Sequence, residues 1–427
     1  MVKKIINFFG FLILLLLLVA IYLSYFGIET EKFNQLIKDQ ISKKDEKINI
    51  NLDKVKILLN LKDFSLNIKT IEPEIFYKNN KIRLNKVSTN FSLNNFFNKN
   101  FSIDDIKIST QETKIKDIIS ILRSHRPSIQ LLILEKMIKG GSVVADINLN
   151  FDNEGKIKKD YELNASIKNG LIKVINKKYI SDINLNLNVK NNDYSLNNLI
   201  LNFDNLKFFS QLIKIKKVNK DFLINGDIKN NNSNIKPEVL NLIFKDNMNN
   251  IENLNFKSEN EFSFQLNKKF KIDNLKLKST ILLNSLKYNY NLPELKIFLP
   301  TFNNIVELNK HVINLEFEKN KITIIGKGAI SIDKNKEFIE YNIIKKENDY
   351  LFKSKVKIKH SPVLIKFIDY KKEAEIYSEI SFEGTVDKNK KIFLKNFLFN
   401  ENKNNFLIKD LDLNKSFKIN SIKEVSL

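Results

Sequence analysis

The sequence predicts a mainly β protein, with one N-terminal transmembrane helix followed by a long antiparallel β-sheet or β-groove and a few short helices. Residues 5 to 28 carry no charge, and apolar and polar residues alternate through most of the chain that follows. Polar turn sequences such as "KNND" at 190 and "KNK" at 319 recur at roughly the 8 to 12 residue spacing of successive short strands.

The uncharged stretch is the predicted membrane anchor. As a helix it is about 36 Å long, enough to cross a hydrocarbon core of roughly 30 Å. Lys3 and Lys4 precede it, and Glu29 and Glu31 follow it. The excess of positive charge before the span predicts a cytoplasmic N terminus and a chain that lies outside the cytoplasm from residue 29 onward. The residues predicted to form the membrane anchor include Ile5, Phe11, Leu15, Leu18, Tyr22 and Phe26.

A cleaved signal peptide is the alternative interpretation of this stretch. The apolar run is longer than the 7 to 15 residues of a signal-peptide core, and its exit, "LSYFGIE", has no pair of small residues at cleavage spacing. The sequence therefore favours an uncleaved anchor.

Three later segments predict helices. "DIISILRSHRPSIQLLILEKMIKGG" predicts a helix on the sheet that ends at Gly140 and Gly141, and "KPEVLNLIFKDNM" predicts another. Directly after the anchor, helical spacing predicts an amphipathic helix beside the membrane, which either packs on protein or lies on lipid. Its apolar residues are Phe33, Leu36, Ile37 and Ile41.

Residues 143–427 form the predicted repetitive β region. In "ADINLNFDNEGKIKKDYELNASIKNGLI" (145–172), two alternating runs flank "DNEG", and Asn169-Gly170 predicts a hairpin turn. Residues 29–142 form the predicted N-terminal region, after the tip and anchor at 1–28. The candidate groove residues, which share one face of the strands, are Ala145, Ile147, Leu149, Phe151, Leu163, Ile167, Ile183, Leu185, Leu187 and Val189.

Composition argues against several classes of function. The net charge of +22 suggests an acidic partner, but only three of the 71 basic residues are arginine, which disfavours nucleic-acid recognition. The chain has no cysteine, and its three histidines, His125, His311 and His360, have no ligand spacing. We therefore predict no catalytic residues, no metal, no cofactor and no enzymatic activity.

A one-sided sheet has to cover its apolar face. A closed core filled by its own side chains is one solution, and an open trough that accepts acyl chains is another. The period of the sequence does not distinguish them.

The order of these parts resembles the AsmA-like family of bacterial envelope proteins, particularly the YhdP and TamB relatives. The resemblance is carried by the anchor, by "ETEKFNQLIKDQI", and by the strand pattern of "INLDKVKILLNLKDFSLNIKTIEPEIFYKNNKIRLNKVSTNFSLNNFF". It covers most of the chain as a pattern and transfers no functional residue. The C-terminal sequence remains strand-like, so the chain is either a shorter member or a fragment truncated at the C terminus.

The resemblance implies a single-pass protein of the bacterial inner membrane with most of its chain in the periplasm. It implies a groove for phospholipid transport between inner and outer membranes, or a role in outer-membrane assembly and homeostasis. The expected partners are membrane phospholipids and envelope proteins, with no nucleic acid. The alternative is an anchored scaffold for envelope proteins that carries no lipid.

Overall fold

The computed structural model gives a mainly β protein that contains one large antiparallel sheet, as the sequence predicts. It describes residues 2–32, 34–35, 38–39, 48–77, 80–93, 105–125, 127–152, 158–174, 178–244, 250–289, 295–332, 335–366, 369–389, 391–402, 404–414 and 418–426. The helices in these ranges that bear on the fold are α1 (Val2–Tyr25), α2 (Ile115–His125), α3 (Ile129–Met137) and α4 (Pro237–Phe244).

The strands are short near the N terminus and reach 18 residues in the middle of the chain. They are β1 (Ile28–Thr30), β2 (Ile48–Asn51), β3 (Val55–Asn60), β4 (Ser65–Ile71), β5 (Glu74–Tyr77), β6 (Asn80–Ser92), β7 (Asp105–Thr110), β8 (Thr113–Lys114), β9 (Ile138–Asn150), β10 (Glu162–Lys173), β11 (Tyr179–Lys190), β12 (Asp193–Phe203), β13 (Leu206–Val218), β14 (Asp221–Ile235), β15 (Ile251–Leu266), β16 (Ile272–Asn289), β17 (Ile305–Glu318), β18 (Lys321–Ile332), β19 (Asn335–Lys346), β20 (Asp349–Ile358), β21 (Val363–Ile365), β22 (Tyr370–Lys372), β23 (Ser378–Val386), β24 (Ile392–Glu401), β25 (Asn404–Leu413), β26 (Ile419–Ser421) and β27 (Glu424–Ser426).

The chain divides into two compact units. Unit 1 comprises residues 1–201 with 214–217, and unit 2 comprises residues 202–213 with 218–427. The predicted boundary between 142 and 143 falls inside β9, and that division remains a prediction. In unit 1, antiparallel pairs join β1, β3, β4, β6, β7, β9, β10 and β11 in that order. In unit 2, they join β14 through β20 and then β23, β24 and β25.

The N-terminal helix α1 has the same length as the uncharged stretch but begins and ends three residues earlier. It ends at Tyr25, and Ile28 already belongs to β1, so the predicted span of 5 to 28 is too long at its C-terminal end. The cause is Gly27, whose φ of +70° is typical of the residue that ends a helix. Its N–H donates to Tyr22 O at 3.2 Å. The predicted amphipathic helix at Phe33, Leu36, Ile37 and Ile41 lies outside the described residues.

The helical segment before β9 also differs from its prediction. It forms two helices, α2 and α3, and α3 ends at Met137. Gly140 and Gly141 do not stop a helix, because both lie in β9. There a side chain at Gly141, which has φ +111°, would lie 2.7 Å from Gly170. The predicted helix beginning near 237 is confirmed as α4.

Asn169-Gly170 is a bulge and not the predicted hairpin turn. Both residues lie inside β10, and the pairing register shifts there against both neighbouring strands. Asn169 adopts φ +51°, and a Cβ at Gly170 would lie 2.9 Å from the Cβ of Ile183. Asparagine and glycine suit a bulge for the same reason that they suit a turn, since both tolerate positive φ.

The turn predicted after residue 190 is confirmed. Asn191 and Asn192 adopt φ values of +53° and +63°, which connect β11 to β12 by a tight hairpin. Lys319 and Asn320 do the same between β17 and β18.

We predict that Gly27→Ala weakens the pairing of β1 with β3. Alanine at positive φ costs about 1 to 2 kcal/mol, and its Cβ would lie 2.5 Å from Ile57 O. Amide hydrogen exchange in residues 28–30 is expected to accelerate about five- to thirtyfold. Gly10→Ala is the control, because its added Cβ meets nothing within 4 Å. Equal exchange in the two variants would contradict the prediction.

Candidate functional site

The inner face of unit 2 carries apolar side chains that the other residues described by the structure cover only in places. On strands β14 to β19, the apolar residues alternate with charged and amide residues that point to the opposite face. We call nine of the half-buried inward apolar residues the apolar strip. They are Ile224, Phe262, Phe264, Leu277, Leu315, Phe317, Ile322, Ile324 and Ile343.

The strip is continuous because the strand register places its members opposite one another. The rings of Phe262 and Phe264 stack at 5.9 Å between centroids. Six neighbouring strands at about 4.8 Å spacing extend about 24 Å across the sheet. One row runs through Phe262, Leu277, Phe317 and Ile322. The next row runs through Leu315, Ile324 and Ile343 to Phe352.

One neighbouring part of this face is covered by helix α4. Val239 and Leu240 of α4 are buried against Leu206 and Ile235, and Phe256 of β15 packs on the same cluster. Within the described ranges, no strip residue belongs to a cluster of buried apolar residues. The strip therefore begins where the cover of α4 ends.

A polar network separates the cover of α4 from the strip. Asn230 is fully buried, and its Oδ1 accepts hydrogen bonds from the amide and the hydroxyl of Ser258 at 2.9 and 2.5 Å. Asn260 donates to Ile228 O and to Ser258 Oγ, both at 2.9 Å, and accepts from Ser279. These groups satisfy one another, so the network can interrupt the apolar face without leaving a polar atom unpaired.

The face is closed again toward the C terminus by the hairpin of β21 and β22. Val363 and Ile365 are buried in a cluster with Phe399, Phe406 and Ile408 of the sheet. Phe352, at the end of the strip, packs against this cluster. The strip thus lies between two covered regions.

Two buried charged side chains hold the hairpin. Lys372 has no exposed surface, and its Nζ donates to three backbone carbonyls at 2.9 to 3.0 Å, those of Lys359, Ser361 and Glu373. The Glu337 carboxylate accepts the N–H groups of residues 359, 360 and 361 at 2.7 to 2.9 Å. Burial lowers the pKa of Lys372, and the carboxylates of Glu337, Glu401 and Glu375 oppose that shift. We call Glu337 and Lys372 the clasp.

His311 marks a further interruption of the face. It is fully buried at a bulge between β17 and β18, and its Nε2 lies 3.2 Å from the Tyr341 hydroxyl. The Tyr341 ring covers Gly326 on the paired strand, where a Cβ would lie 2.2 Å from the ring. Burial lowers the pKa of His311, so the ring is neutral at pH 7.

The opposite face of unit 2 is strongly charged. Cross-strand ion pairs join Lys276 to Glu318 at 2.7 Å and Lys287 to Glu252 at 2.6 Å. Hydrogen bonds from these lysines lower the pKa of both glutamates. A depression of about 570 Å³ is lined mostly by polar residues of β13 to β17, among them Lys229 and Glu259. This face is suited to water, so the two faces differ in chemistry.

The groove residues expected from the sequence lie in unit 1. Ala145, Ile183 and Val189 are buried, and the other seven are half-buried. Helix α2 packs Ile115 and Ile118 over a cluster that contains Ala145, with Leu163, Ile167 and Leu187 around it. The structure brings the residues together in register rows, which are Ile147–Leu163–Val189, Ala145–Ala165–Leu187 and Val143–Ile167–Leu185. Leu149 pairs with Ile106, Ile183 faces Gly170, and Phe151 follows the end of β9.

The predicted anchor residues lie on or just after α1. Phe11, Leu15, Leu18, Tyr22 and Phe26 are all exposed, and the side chain of Ile5 lies outside the described residues. Asn7–Tyr25 is a stretch of 19 residues with mean hydropathy 2.6, long and apolar enough to cross a membrane. A signal sequence has the same properties, so both interpretations remain open.

Comparisons with protein-family models, with curated proteins and with solved structures each found no match. The resemblance to AsmA-like proteins therefore remains a prediction. Among the residues that the structure describes, no group of three or more histidine, aspartate and glutamate side chains is placed to hold a metal ion.

The apolar strip was not singled out by sequence reasoning, although the sequence carries a signal for its border. In "KSENEF" (257–262), five polar residues interrupt the alternation of β15, and Ser258 and Asn260 occupy inward positions. The cover of the neighbouring regions had no such signal, because the alternation of a strand is the same whether or not a helix or hairpin packs over it.

We predict that Glu337→Gln weakens the clasp and allows the β21–β22 hairpin to detach from the sheet. A hydrogen bond to a charged group contributes about 1.5 to 3 kcal/mol, and the amide cannot accept all three N–H groups. If the free energy needed to open the hairpin falls by about 2 kcal/mol, the open form becomes roughly thirtyfold more populated. Tryptic cleavage after the exposed Lys366 and Lys371 is then expected to be faster by the same factor. The control is Glu340→Gln, an exposed position on the same strand. Unchanged cleavage in Glu337→Gln would show that the clasp does not hold the hairpin.

Proposed function

We propose that the protein is a membrane-anchored lipid-binding protein whose apolar strip takes up phospholipid acyl chains. The observation that carries the proposal is the strip of nine half-buried apolar side chains, none of which belongs to a buried apolar cluster among the described residues, on a chain whose first helix is long enough to cross a bilayer. Apolar faces of this extent on a soluble surface are typical of binding sites.

The dimensions of the strip support an acyl chain as the occupant. A bilayer hydrocarbon core of about 30 Å gives each leaflet about 15 Å of chain length, and the strip extends about 24 Å across its strands. Contact with hydrocarbon is non-directional and proportional to the apolar area buried, so we expect little selectivity among acyl chains. The headgroup remains in water.

The wider setting belongs to the same proposal. We take α1 to be an uncleaved anchor in a bacterial inner membrane, with the rest of the chain in the periplasm, in the arrangement expected of AsmA-like proteins. Lys3 and Lys4, in the first turn of α1, support that orientation because they precede its apolar stretch. The role would be phospholipid transport between the inner and outer membranes or outer-membrane homeostasis, without an enzymatic step.

The test uses two neighbouring residues of β18 that point to opposite faces. Ile324 belongs to the strip, whereas Ile325 is 49% exposed on the charged face. Full-length protein in detergent is exposed to a phospholipid with a photoreactive acyl chain, and the cross-linked product is measured by mass spectrometry. We predict that Ile324→Asp reduces cross-linking about tenfold, because burying one such side chain contributes about 1.5 to 3 kcal/mol, and that Ile325→Asp leaves it unchanged.

Circular dichroism of both variants shows whether the fold is retained. Equal cross-linking of Ile324→Asp, Ile325→Asp and the unaltered protein would overturn the strip as a lipid site. A folded protein that acquires no cross-link under any condition would favour the anchored scaffold, whose partners are proteins.

A further inference from the structure

Helix α3 in unit 1 is apolar, yet it buries none of its residues. Six of the nine residues in "IQLLILEKM" are apolar, and Ile129 is 73% exposed. Its neighbour α2 behaves as an ordinary covering helix, with Ile119 buried and Ile118 packed on the sheet. A helix in water usually hides its apolar stripe, so the exposure of α3 needs a partner. The exposed apolar residues of the two helices are Leu122, Ile129, Leu132, Ile133 and Leu134.

The helix is well formed in spite of its exposure. Ser128 caps it, since its hydroxyl accepts the N–H of Leu131 at 3.2 Å. On the other side, Glu135 Oε2 lies 2.5 Å from Arg123 Nε of α2. The apolar surface of α3 is thus held in place by contacts that do not cover it.

The charges around this surface favour an anionic occupant. Lys116 of α2, Lys136 of α3 and Lys139 just after α3 are exposed. Apolar residues beside exposed lysines are typical of helices that lie in the interface of an anionic bilayer. A basic residue close to such a surface strengthens binding about fivefold.

The bilayer that α1 would cross is also held near α3, because α3 and α1 belong to the same compact unit. The end of α1 contacts β3, where Gly27 lies against Ile57 and Leu58. A second helix of a tethered unit meets the membrane at high effective concentration.

We propose that α3 lies in the headgroup region of the bilayer that α1 crosses, with Ile129, Leu132 and Ile133 inserted among the acyl chains. This inference rests on the anchor role of α1 in the proposed function, but not on the apolar strip. It adds a second membrane contact, which orients unit 1 at the lipid surface.

The experiment exploits the absence of cysteine from the chain. Full-length variants with one cysteine each carry an environment-sensitive fluorophore at Ile133→Cys, at Leu15→Cys in α1, or at Tyr179→Cys. Tyr179 is the matched control, because it is 43% exposed and lies in the same unit. Each variant is placed in nanodiscs that hold one copy, made with phosphatidylglycerol and with or without bromine on the acyl chains.

Bromine quenches a fluorophore only within the hydrocarbon. We expect positions 15 and 133 to lose most of their fluorescence in brominated discs and position 179 to keep it. Replacing phosphatidylglycerol with phosphatidylcholine is expected to weaken quenching at 133 and to leave position 15 unchanged.

Three results would overturn the proposal in distinguishable ways. Quenching at 15 without quenching at 133 leaves the anchor in place and removes α3 from the membrane. Absence of quenching at both positions removes the anchor and the inference together. Protection of position 133 from aqueous iodide without bromine quenching means that protein covers α3, which also contradicts membrane contact.

Discussion

The one-sided pattern of the strands is the constraint on which the rest of this structure depends. Alternation along a strand determines which face of the sheet each side chain occupies. Residues paired across neighbouring antiparallel strands lie on the same face, so the apolar residues of β14 to β20 share one surface. A surface of this size has to be covered or to bind something. Separate segments cover separate parts of the apolar face. Helix α2 covers part of it in unit 1, and α4 and the β21–β22 hairpin cover parts of it in unit 2.

Polar groups set the borders of what remains open. Asn230 and Ser258 interrupt the inner face with paired hydrogen bonds, and the clasp ties down the hairpin at the other side. Burying such groups is costly unless each finds a partner. Because the partners are backbone and side-chain atoms of the same unit, these interruptions are stable features of the sheet. The limits of the strip are therefore as well defined as its apolar members.

Periodicity was sufficient to predict the fold class, the N-terminal helix, α4 and the asparagine turn after β11, because each of these depends on local sequence. It failed where one local signal fits two structures. Asn169-Gly170 suits a bulge as well as a turn, and Gly140 and Gly141 suit close strand contact as well as a helix end. The open strip also escaped prediction, since the exposure of an apolar strand depends on which helices and hairpins fold over it, and the alternation within the strand does not report that.

An open strip of aliphatic and phenyl side chains has consequences for specificity. Under the proposed function, contact would depend on the apolar area buried and not on the direction of the bound chain, so we expect little discrimination between one acyl chain and another. Discrimination would have to come from polar groups at the borders, where Asn260 and Ser279 already satisfy one another and Lys345 stands opposite Ile322. Under the proposed function, the Lys345 ammonium, which lies 5.3 Å from the centroid of the Tyr350 ring, would be the group that attracts an anionic headgroup at the β18–β19 end of the strip.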